Sequence, residues 1–524
     1  MNARKICILG FGLFLVFSTF PLTSQANDLV VTNVRLGARD TSSATLVVFF
    51  DLAWKNSWRN KINHDAAWVK VRLQGDTSPE KKLCPISAAG LNPASTARGS
   101  NADLEIFVPS DKSGAFFRRS MNHPVSDVAT TSAMLTVNYG ACGFTAASSV
   151  SATVEAIEMV LIPKGAFFAG DNGSSTAAFK RGMSDDNPWI VSGESAINVT
   201  GASSNGFYYV SAGNPGEFPS GSLFTIPALF PKGYGAFYLM KYELTEGQWV
   251  EFINALPVSA RHHRDVTDGN HKNSDAVVAR NTVACSGSPL VCTTTNPQRA
   301  MTFLSWPDLC AFFDWAALRP VTELEFEKAA RGPFLPLDGE YAWGNTQIVA
   351  AQELSGTSED GSETVLTSRA NARFNNLVLS GGDASQGGEH QQGALRTGIF
   401  STMASDRTAS GSGNYGVLEL SGNTKEWIVT VGNLNGISFS GIHGDGFLTE
   451  VPGAEGNANV LAWPGWDAEI SHGVTLAAGA GFRGGSWADV SSRLAVSDRA
   501  EAASGEAAAA STHGGRGART AEDQ

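Results

Sequence analysis

Three short helices set among very long loops constrain the fold of this chain most strongly. After Thr245 and Ser305, apolar residues recur at the 0, 3, 4 and 7 spacing of one helix face, and Thr322 begins a third helix. Segments 172–222 and 355–415 are rich in Gly, Ser and Asn and are longer than ordinary connections. Because strands do not alternate regularly with helices, the pattern favours a loop-rich α+β domain over a parallel sheet.

Residues 27–155 have the pattern of β-strands instead. Four runs rich in β-branched and aromatic residues are separated by turn-forming residues, namely Leu29–Val31, Thr45–Leu52, Ala67–Leu73 and Ala133–Tyr139. Alternation within Ala67–Leu73 predicts a strand with one buried face. The runs together predict an Ig-like β-sandwich domain. Trp54, Trp58 and Trp68 either form a carbohydrate platform or pack in the core, and packing is favoured.

The N-terminus has the features of a secretory signal, predicted over residues 1–26. Arg4 and Lys5 precede an apolar run over 6–20, and small residues at 24–26 form a cleavage site. The alternative is an uncleaved anchor, but the run is short for a bilayer span. We therefore predict export to the periplasm, the cell surface or the medium, with no membrane span after cleavage.

Charge and cysteine content limit the partners and the chemistry. The formal charge of −12 argues against nucleic acid, which needs a basic surface. Export permits disulfides, and Cys84 with Cys142 and Cys285 with Cys292 are the plausible pairs, although spacing does not fix connectivity. Cys310 lies on an apolar helix face, where a buried thiol is expected. The spacing resembles no zinc site.

Six motifs in the second part of the chain occur in the order found in one known family. They are Met159–Phe167, Phe237–Thr245, Arg319–Gly332, Tyr341–Gly344, Tyr415–Trp427 and Phe482–Trp487. This set resembles the formylglycine-generating enzyme (sulfatase-modifying factor) family. The resemblance implies that residues 156–524 form an α+β domain with a C-type-lectin-like fold, preceded by the β-sandwich domain. Within the motifs, Glu323, Glu325 and Arg331 are expected to form structural ion pairs.

The resemblance also implies a calcium site. Gly422, Thr424 and Glu426 match family positions that supply hard oxygen ligands to Ca²⁺. The alternative for Glu426 is a place in the first turn of a helix capped by Asn423, and both interpretations stay open. A second site around Asn371 is less favoured than a structural role.

Copper-dependent oxidation of cysteine, the activity of the family's enzymes, is not expected. Those enzymes bind copper through two cysteines just after the R-G-G-S segment, since soft ligands hold Cu(I). The matching positions are Asp489 and Leu494, and no cysteine follows Cys310. Ser486 matches an active-site serine but has no metal pair beside it, so we assign no catalytic residue and expect no copper.

A second enzymatic branch, the iron sulfoxide synthases, takes its histidine ligands from an additional helical domain that has no counterpart before residue 158. The histidines of this part of the chain are predicted to lie on the surface; they are His262, His263, His271, His443, His472 and His513.

The segment 487–513 is dominated by small residues. It is either a disordered tail or an ordered surface loop, and the closing motif Gly514–Arg519 favours the loop. It resembles the variable segment of proteins diversified by retroelements, which use the same scaffold to bind ligands. The predicted contacts to a protein or glycan ligand are Trp487, Asp489, Ser491, Ser492, Leu494, Glu501, Ser504, Glu506, Thr512 and His513.

Three functions are compatible with these features. The first is an exported binding module, and the second is a metal-dependent oxidase of the same family. The third is an adhesin or fibre component that uses the β domain for docking, which is compatible with the first.

Overall fold

The computed structural model describes residues 29–76, 80–87, 104–382, 392–402, 405–469 and 472–522. The predicted signal segment lies outside the described residues. Within them, helices are few and short: α1 Glu246–Ala255, α2 Val258–Arg261, α3 Trp306–Trp315, α4 Glu323–Arg331 and α5 Leu434–Ile437. Two 3₁₀ turns cover His262–Arg264 and Ser491–Leu494.

Among the described residues, strands are far more numerous than helices. In the first part of the chain they are β1 Val30–Asp40, β2 Thr45–Arg59, β3 Asp65–Gly75, β4 Lys81–Leu83, β5 Leu104–Phe107, β6 Ala115–Arg119, β7 His123–Asn138 and β8 Val150–Ile162. Short strands follow: β9 Phe167–Ala169, β10 Trp189–Val191, β11 Ile197–Asn198, β12 Thr225–Ile226, β13 Phe237–Met240, β14 Ala284–Ser286, β15 Val291–Thr293, β16 Glu353–Leu354, β17 Ser380–Gly381, β18 Lys425–Val429, β19 Trp466–Asp467, β20 Gly473–Val474, β21 Ala480–Arg483, β22 His513–Gly514 and β23 Ala518–Thr520.

One strand, β8, joins the two parts of the chain. It pairs antiparallel with β3 along one edge and, over Met159–Ile162, with β13 along the other. The resulting seven-stranded sheet has the order β23-β13-β8-β3-β6-β5, with β4 added to β3. The predicted boundary between residues 155 and 156 therefore lies inside one continuous strand.

The prediction that Ala67–Leu73 has one buried face is wrong, because β3 is buried on both faces. Val69 and Val71 pack against β2 and β7, which form a second sheet with β1. On the opposite face Lys70 and Arg72 are also buried. Both pair with Glu155 of β8, which lies 3.2 Å from the Lys70 ammonium and 3.1 Å from Arg72 Nε.

The three predicted helices are confirmed, and each begins with a reciprocal capping box. The side chains of Thr245, Ser305 and Thr322 accept hydrogen bonds from the backbone three residues later, and the residue there bonds back. α4 ends at Gly332, whose φ of 75° suits glycine.

The cysteines are arranged in two disulfides and one free thiol among the described residues. Cys84 is bonded to Cys142, and Cys285 is bonded to Cys292 across the β14–β15 hairpin. Cys310 is buried in α3, and burial raises the pKa of its thiol. It has the character of a packed apolar side chain.

The tryptophans of the first part of the chain pack rather than form a platform. Trp54 and Trp68 are fully buried, and Trp58 is half-buried with its ring about 5.0 Å from the Lys241 ammonium. Trp68 belongs to β3 but donates from its indole nitrogen to the carbonyl of Ala316, just after α3, at 3.1 Å. It therefore connects the first part of the chain to the helices of the second.

No helix in the described ranges has the length and apolar character needed to cross a membrane.

Replacing Trp68 with Ala is expected to lower the free energy of unfolding by about 3–5 kcal/mol, since a large buried side chain is lost. Because β8 belongs to both parts of the chain, we expect one unfolding transition, followed by calorimetry or by denaturant titration. The control Met121→Ala, at an exposed position, should change little. Two separate transitions, of which only the first shifts, would contradict this.

Candidate functional site

Two of the family-like motifs meet the closing segment of the chain at a small three-stranded sheet. β18 pairs antiparallel with β21 and parallel with β22, so that Glu426 lies opposite Arg483 and Lys425 lies opposite His513. The sheet thus joins Tyr415–Trp427, Phe482–Trp487 and the closing segment of the chain. The segment 487–513 leaves this sheet at one strand and returns at another.

A buried carboxylate holds the strand before that segment and the middle of the segment itself. Glu323, at the start of α4, lies 3.1 Å from Arg483 Nη1 and 2.7 Å from Arg499 Nε. All three side chains are fully buried. Burial alone raises the pKa of Glu323, but the two guanidinium groups hold it below its usual value. The predicted structural role of Glu323 is thus supported by its contacts.

Arg499 also fixes the segment to a distant loop. Its Nη1 donates to the carbonyls of Ala177 and Val210 at 2.9 Å, and its guanidinium lies 4.0 Å from the ring centre of Phe179. Arg499 therefore connects the segment 487–513 to the loop that begins near residue 172.

The two positions that match the copper-binding cysteines of the family's enzymes make contacts of other kinds. Asp489 Oδ2 accepts hydrogen bonds from the backbone and hydroxyl of Ser486, at 2.9 and 2.6 Å. Leu494 is fully buried in an apolar cluster with Phe326, Val417 and others. One position is thus a turn-stabilising carboxylate and the other is part of the core.

The segment 487–513 is ordered, as the closing motif predicts. The backbone carbonyls of Glu501 and Thr512 accept hydrogen bonds from the backbone of Phe482 and Lys425, both at 2.9 Å. The indole of Trp487 donates to the carbonyl of Ser511 at 2.9 Å, which closes the loop on itself.

The predicted ligand contacts divide into accessible and buried residues. Those at least partly accessible are Asp489, Ser491, Ser492, Glu501, Ser504, Glu506 and Thr512. Trp487, Leu494 and His513 are buried, and their side chains are used in packing. The ring of His513, for example, lies 4.2 Å from that of Phe482. These three residues therefore do not belong to the accessible surface.

Among the accessible residues that were not predicted, Val490 and Arg493 have the larger side chains. Val490 is 56% exposed, and the side chain of Arg493 is 41% exposed. Nothing in the sequence around Val490 indicates that its side chain is exposed. Arg493 was assigned to a motif of the resembling proteins rather than to the ligand contacts. Both lie on or beside the 3₁₀ turn Ser491–Leu494.

The predicted calcium ligands are engaged with protein groups. Both carboxylate oxygens of Glu426 accept from Arg516, each at 2.7 Å. Thr424 donates from its backbone and hydroxyl to Glu243, at 2.9 and 2.6 Å. The guanidinium of Arg516 thus engages both carboxylate oxygens of Glu426. Calcium at Gly422, Thr424 and Glu426 stays a prediction.

The alternative interpretation of Glu426, as part of a helix start, is wrong, because Lys425–Val429 is strand β18. Asn423 instead has a left-handed φ of 69°, and its Oδ1 accepts from the backbone of Leu395 at 2.8 Å.

Three buried carboxylates, those of Glu243, Glu419 and Glu426, lie near the single positive charge of Arg516. Burial raises the pKa of Glu243 to about 8 and that of Glu419 to about 7, although Arg516 opposes both shifts.

Asn371, the less favoured calcium position, has a structural role, since its Oδ1 accepts from the backbone of Val349 at 2.9 Å. In the described ranges, no three His, Cys, Asp or Glu side chains are grouped as metal ligands.

The prediction of surface positions is wrong for some histidines. His513 is buried, and burial lowers its pKa to about 4. His271 lies between Asp268 and Asp308, with ring nitrogens 2.7 and 2.8 Å from their carboxylates. Burial alone lowers the pKa of His271, but Asp308 and Asp268 together raise it to about 9.

Comparison with known families gives one match. Residues 214–523 match the model of the sulfatase-modifying factor enzyme 1-like domain, which is more than half of the 524 residues. The chain belongs to this family. No curated protein sequence matches the chain.

The match begins after the first resembling motif, Met159–Phe167. In the structure that motif is nevertheless joined to the sulfatase-modifying factor domain, because β8 pairs with β13. The matched range includes the three capped helices, the β18–β21–β22 sheet and the whole segment 487–513.

Replacing Glu323 with Gln is expected to lower the free energy of unfolding of the sulfatase-modifying factor domain by about 3–5 kcal/mol, because the buried Arg499 loses its carboxylate partner and Arg483 keeps only Glu327. The control is Glu501→Gln, whose partly exposed pair with Lys425 should contribute about 0–1 kcal/mol. Denaturant unfolding measures both. Equal effects of the two substitutions would rule out the proposed anchoring role.

Stability should also depend on the charge of His271. Its folded pKa of about 9 exceeds the reference value of 6.5, so the stabilisation is complete below pH 6.5 and is lost as the pH rises through about 9. At its maximum it amounts to about 3 kcal/mol. The difference between wild type and His271→Gln should therefore shrink over this range, whereas the control His472→Gln, at an exposed position, should show no such trend.

Proposed function

We propose that this protein is an exported ligand-binding protein that uses the sulfatase-modifying factor scaffold without copper-dependent cysteine oxidation. One observation carries the proposal. At the two positions where the family's oxidases are expected to place thiolates, this chain has Asp489, bonded to Ser486, and Leu494, buried in the core. Neither offers the soft ligand that Cu(I) requires.

The proposed binding surface consists of the accessible side chains of 487–513. To the seven accessible predicted residues we add Val490 and Arg493. The surface combines the apolar side chain of Val490, the cation of Arg493, several hydroxyls and the carboxylates of Asp489, Glu501 and Glu506. Because aromatic anchors are lacking among these residues, we expect modest affinity for a protein or glycan ligand.

The segment's composition supports a comparison with retroelement-diversified proteins. Most residues between 488 and 513 are Ala, Ser, Gly, Asp, Thr, Arg, Val, Leu or His, the set reached when adenines of Asn codons are replaced. A C-type-lectin-like scaffold behind an N-terminal β-sandwich, and export by the signal at 1–26, are further parts of this proposal.

The gene itself provides a direct test. We expect a reverse transcriptase gene nearby, together with an Asn-rich near-copy of the DNA that encodes residues 484–519. Populations of the organism should then differ in codons for the accessible residues and agree at Leu494, Arg499 and His513. Uniform sequences without such a copy would refute diversification, though not binding.

The alternative, a metal-dependent oxidase, predicts tight copper binding. We expect the wild type not to retain Cu(I) against a chromogenic Cu(I) chelator. The double variant Asp489→Cys, Leu494→Cys, which places cysteines at both matching positions, is the matched comparison. Stoichiometric Cu(I) retention by the wild type, or its conversion of cysteine to formylglycine in a test peptide, would overturn the proposal.

A further inference from the structure

Two neighbouring cavities are lined by residues outside the segment 487–513. The larger, of about 630 Å³, lies between the β3–β4 region and the loops 255–260 and 446–459. The smaller, of about 380 Å³, adjoins Leu83, Pro85 and the loop 442–447. Phe447 lines both, so the two cavities adjoin at this side chain, and together they are called the groove below.

The groove has an apolar floor and a protruding apolar ridge. Leu256, Trp315 and Leu448 line the larger cavity. Phe447 is 41% exposed, and Ile442, beside the smaller cavity, is 54% exposed. The larger cavity falls within the range of roughly 300–1,000 Å³ that is usual for ligand sites.

The charge of the groove is negative. The carboxylates of Glu80, Glu450 and Glu455 line the larger cavity, and those of Asp111 and Asp445 line the smaller one. Some are partly balanced: Glu80 lies 3.5 Å from Lys82, Glu455 lies 3.5 Å from His263, and Asp111 is paired with Arg519. Glu450 and Asp445 add negative charge on either side of Phe447.

The basic residues of the lining offset this charge only in part. Arg72 donates from Nε to both oxygens of Glu155 at 3.1 Å and from Nη1 to the carbonyl of Gly446 at 3.2 Å. It is therefore committed to the protein. Burial and neighbouring arginines lower the pKa of His443, which keeps its ring neutral. Lys81 remains as the basic side chain available to a ligand.

The loop that carries Phe447 is held in place before any partner binds. The carboxylate of Asp314 accepts from the backbone of Asp445 at 3.0 Å and from that of Asn459 at 2.8 Å. Arg264 donates to the carbonyl of Gly456 at 3.1 Å and pairs with Asp308 at 2.7 Å. A preformed groove lowers the entropic cost of binding.

We propose that this groove binds an extended, cationic segment of a partner polypeptide. An extended chain directs successive side chains to opposite sides, so apolar side chains can pack on Phe447 while basic ones reach the carboxylates. Charge complementarity of this kind favours a basic partner and disfavours an acidic one. The inference does not rest on the function proposed for 487–513, which is a different surface.

The test measures fluorescence anisotropy of a labelled short peptide of alternating Lys and Leu, added to the full chain. We expect saturable binding that weakens at high ionic strength, and no binding of the matched peptide of alternating Glu and Leu. The double variant Glu450→Lys, Asp445→Lys and the single variant Phe447→Ala should each raise the Kd by about tenfold or more.

Control variants distinguish binding in the groove from binding elsewhere on the chain. Glu506→Lys, on the 487–513 surface, should leave the Kd unchanged, and thermal unfolding should show that every variant is folded. Phe447→Leu should retain more affinity than Phe447→Ala. Equal binding of the acidic peptide, or loss of binding in the Glu506→Lys variant, would overturn the proposal. Binding of spermine that is as tight as that of the basic peptide and is unchanged by Phe447→Ala would also overturn it. So would self-association of the chain that the Glu450→Lys, Asp445→Lys variant abolishes.

Discussion

The continuity of β8 is the constraint on which the rest of the structure depends. This strand pairs with β3 on one side and β13 on the other, so its backbone bonds are shared between the first part of the chain and the sulfatase-modifying factor domain. Because β3 is buried on both faces, removal of residues 27–155 would expose apolar surface on the second part. An attachment role for the first part is therefore better examined with surface substitutions than by deletion.

Local signals predicted the helices well, whereas burial in the sheets depended on partners distant in sequence. A capping box needs only four neighbouring residues, so Thr245, Ser305 and Thr322 identify their helices from the sequence. The burial of Lys70 and Arg72 depends on Glu155, about eighty residues away in the chain, and no periodicity contains that information. The two-residue strands were equally unpredictable, since two residues define no period.

The candidate site was predictable at its ends and not in its middle. The motifs that flank 487–513 fix where the segment leaves and rejoins the sheet, and these positions follow from the sequence. Which side chains of the segment point outward is decided by the 3₁₀ turn Ser491–Leu494, which places Leu494 in the core and leaves Val490 exposed. Both are apolar residues in a run of small ones, so the sequence does not indicate which of them is buried. The folded backbone decides it.

The contacts of Arg499 have a consequence for how such a segment can change over generations. By joining Glu323, Ala177 and Val210, this one side chain divides the loop into two shorter arcs with a fixed point between them. Mutations within one arc are thereby insulated from the conformation of the other. Under the binding function proposed above, Arg499 would limit which parts of the surface can change shape, and lengthening the loop would add freedom only within one arc.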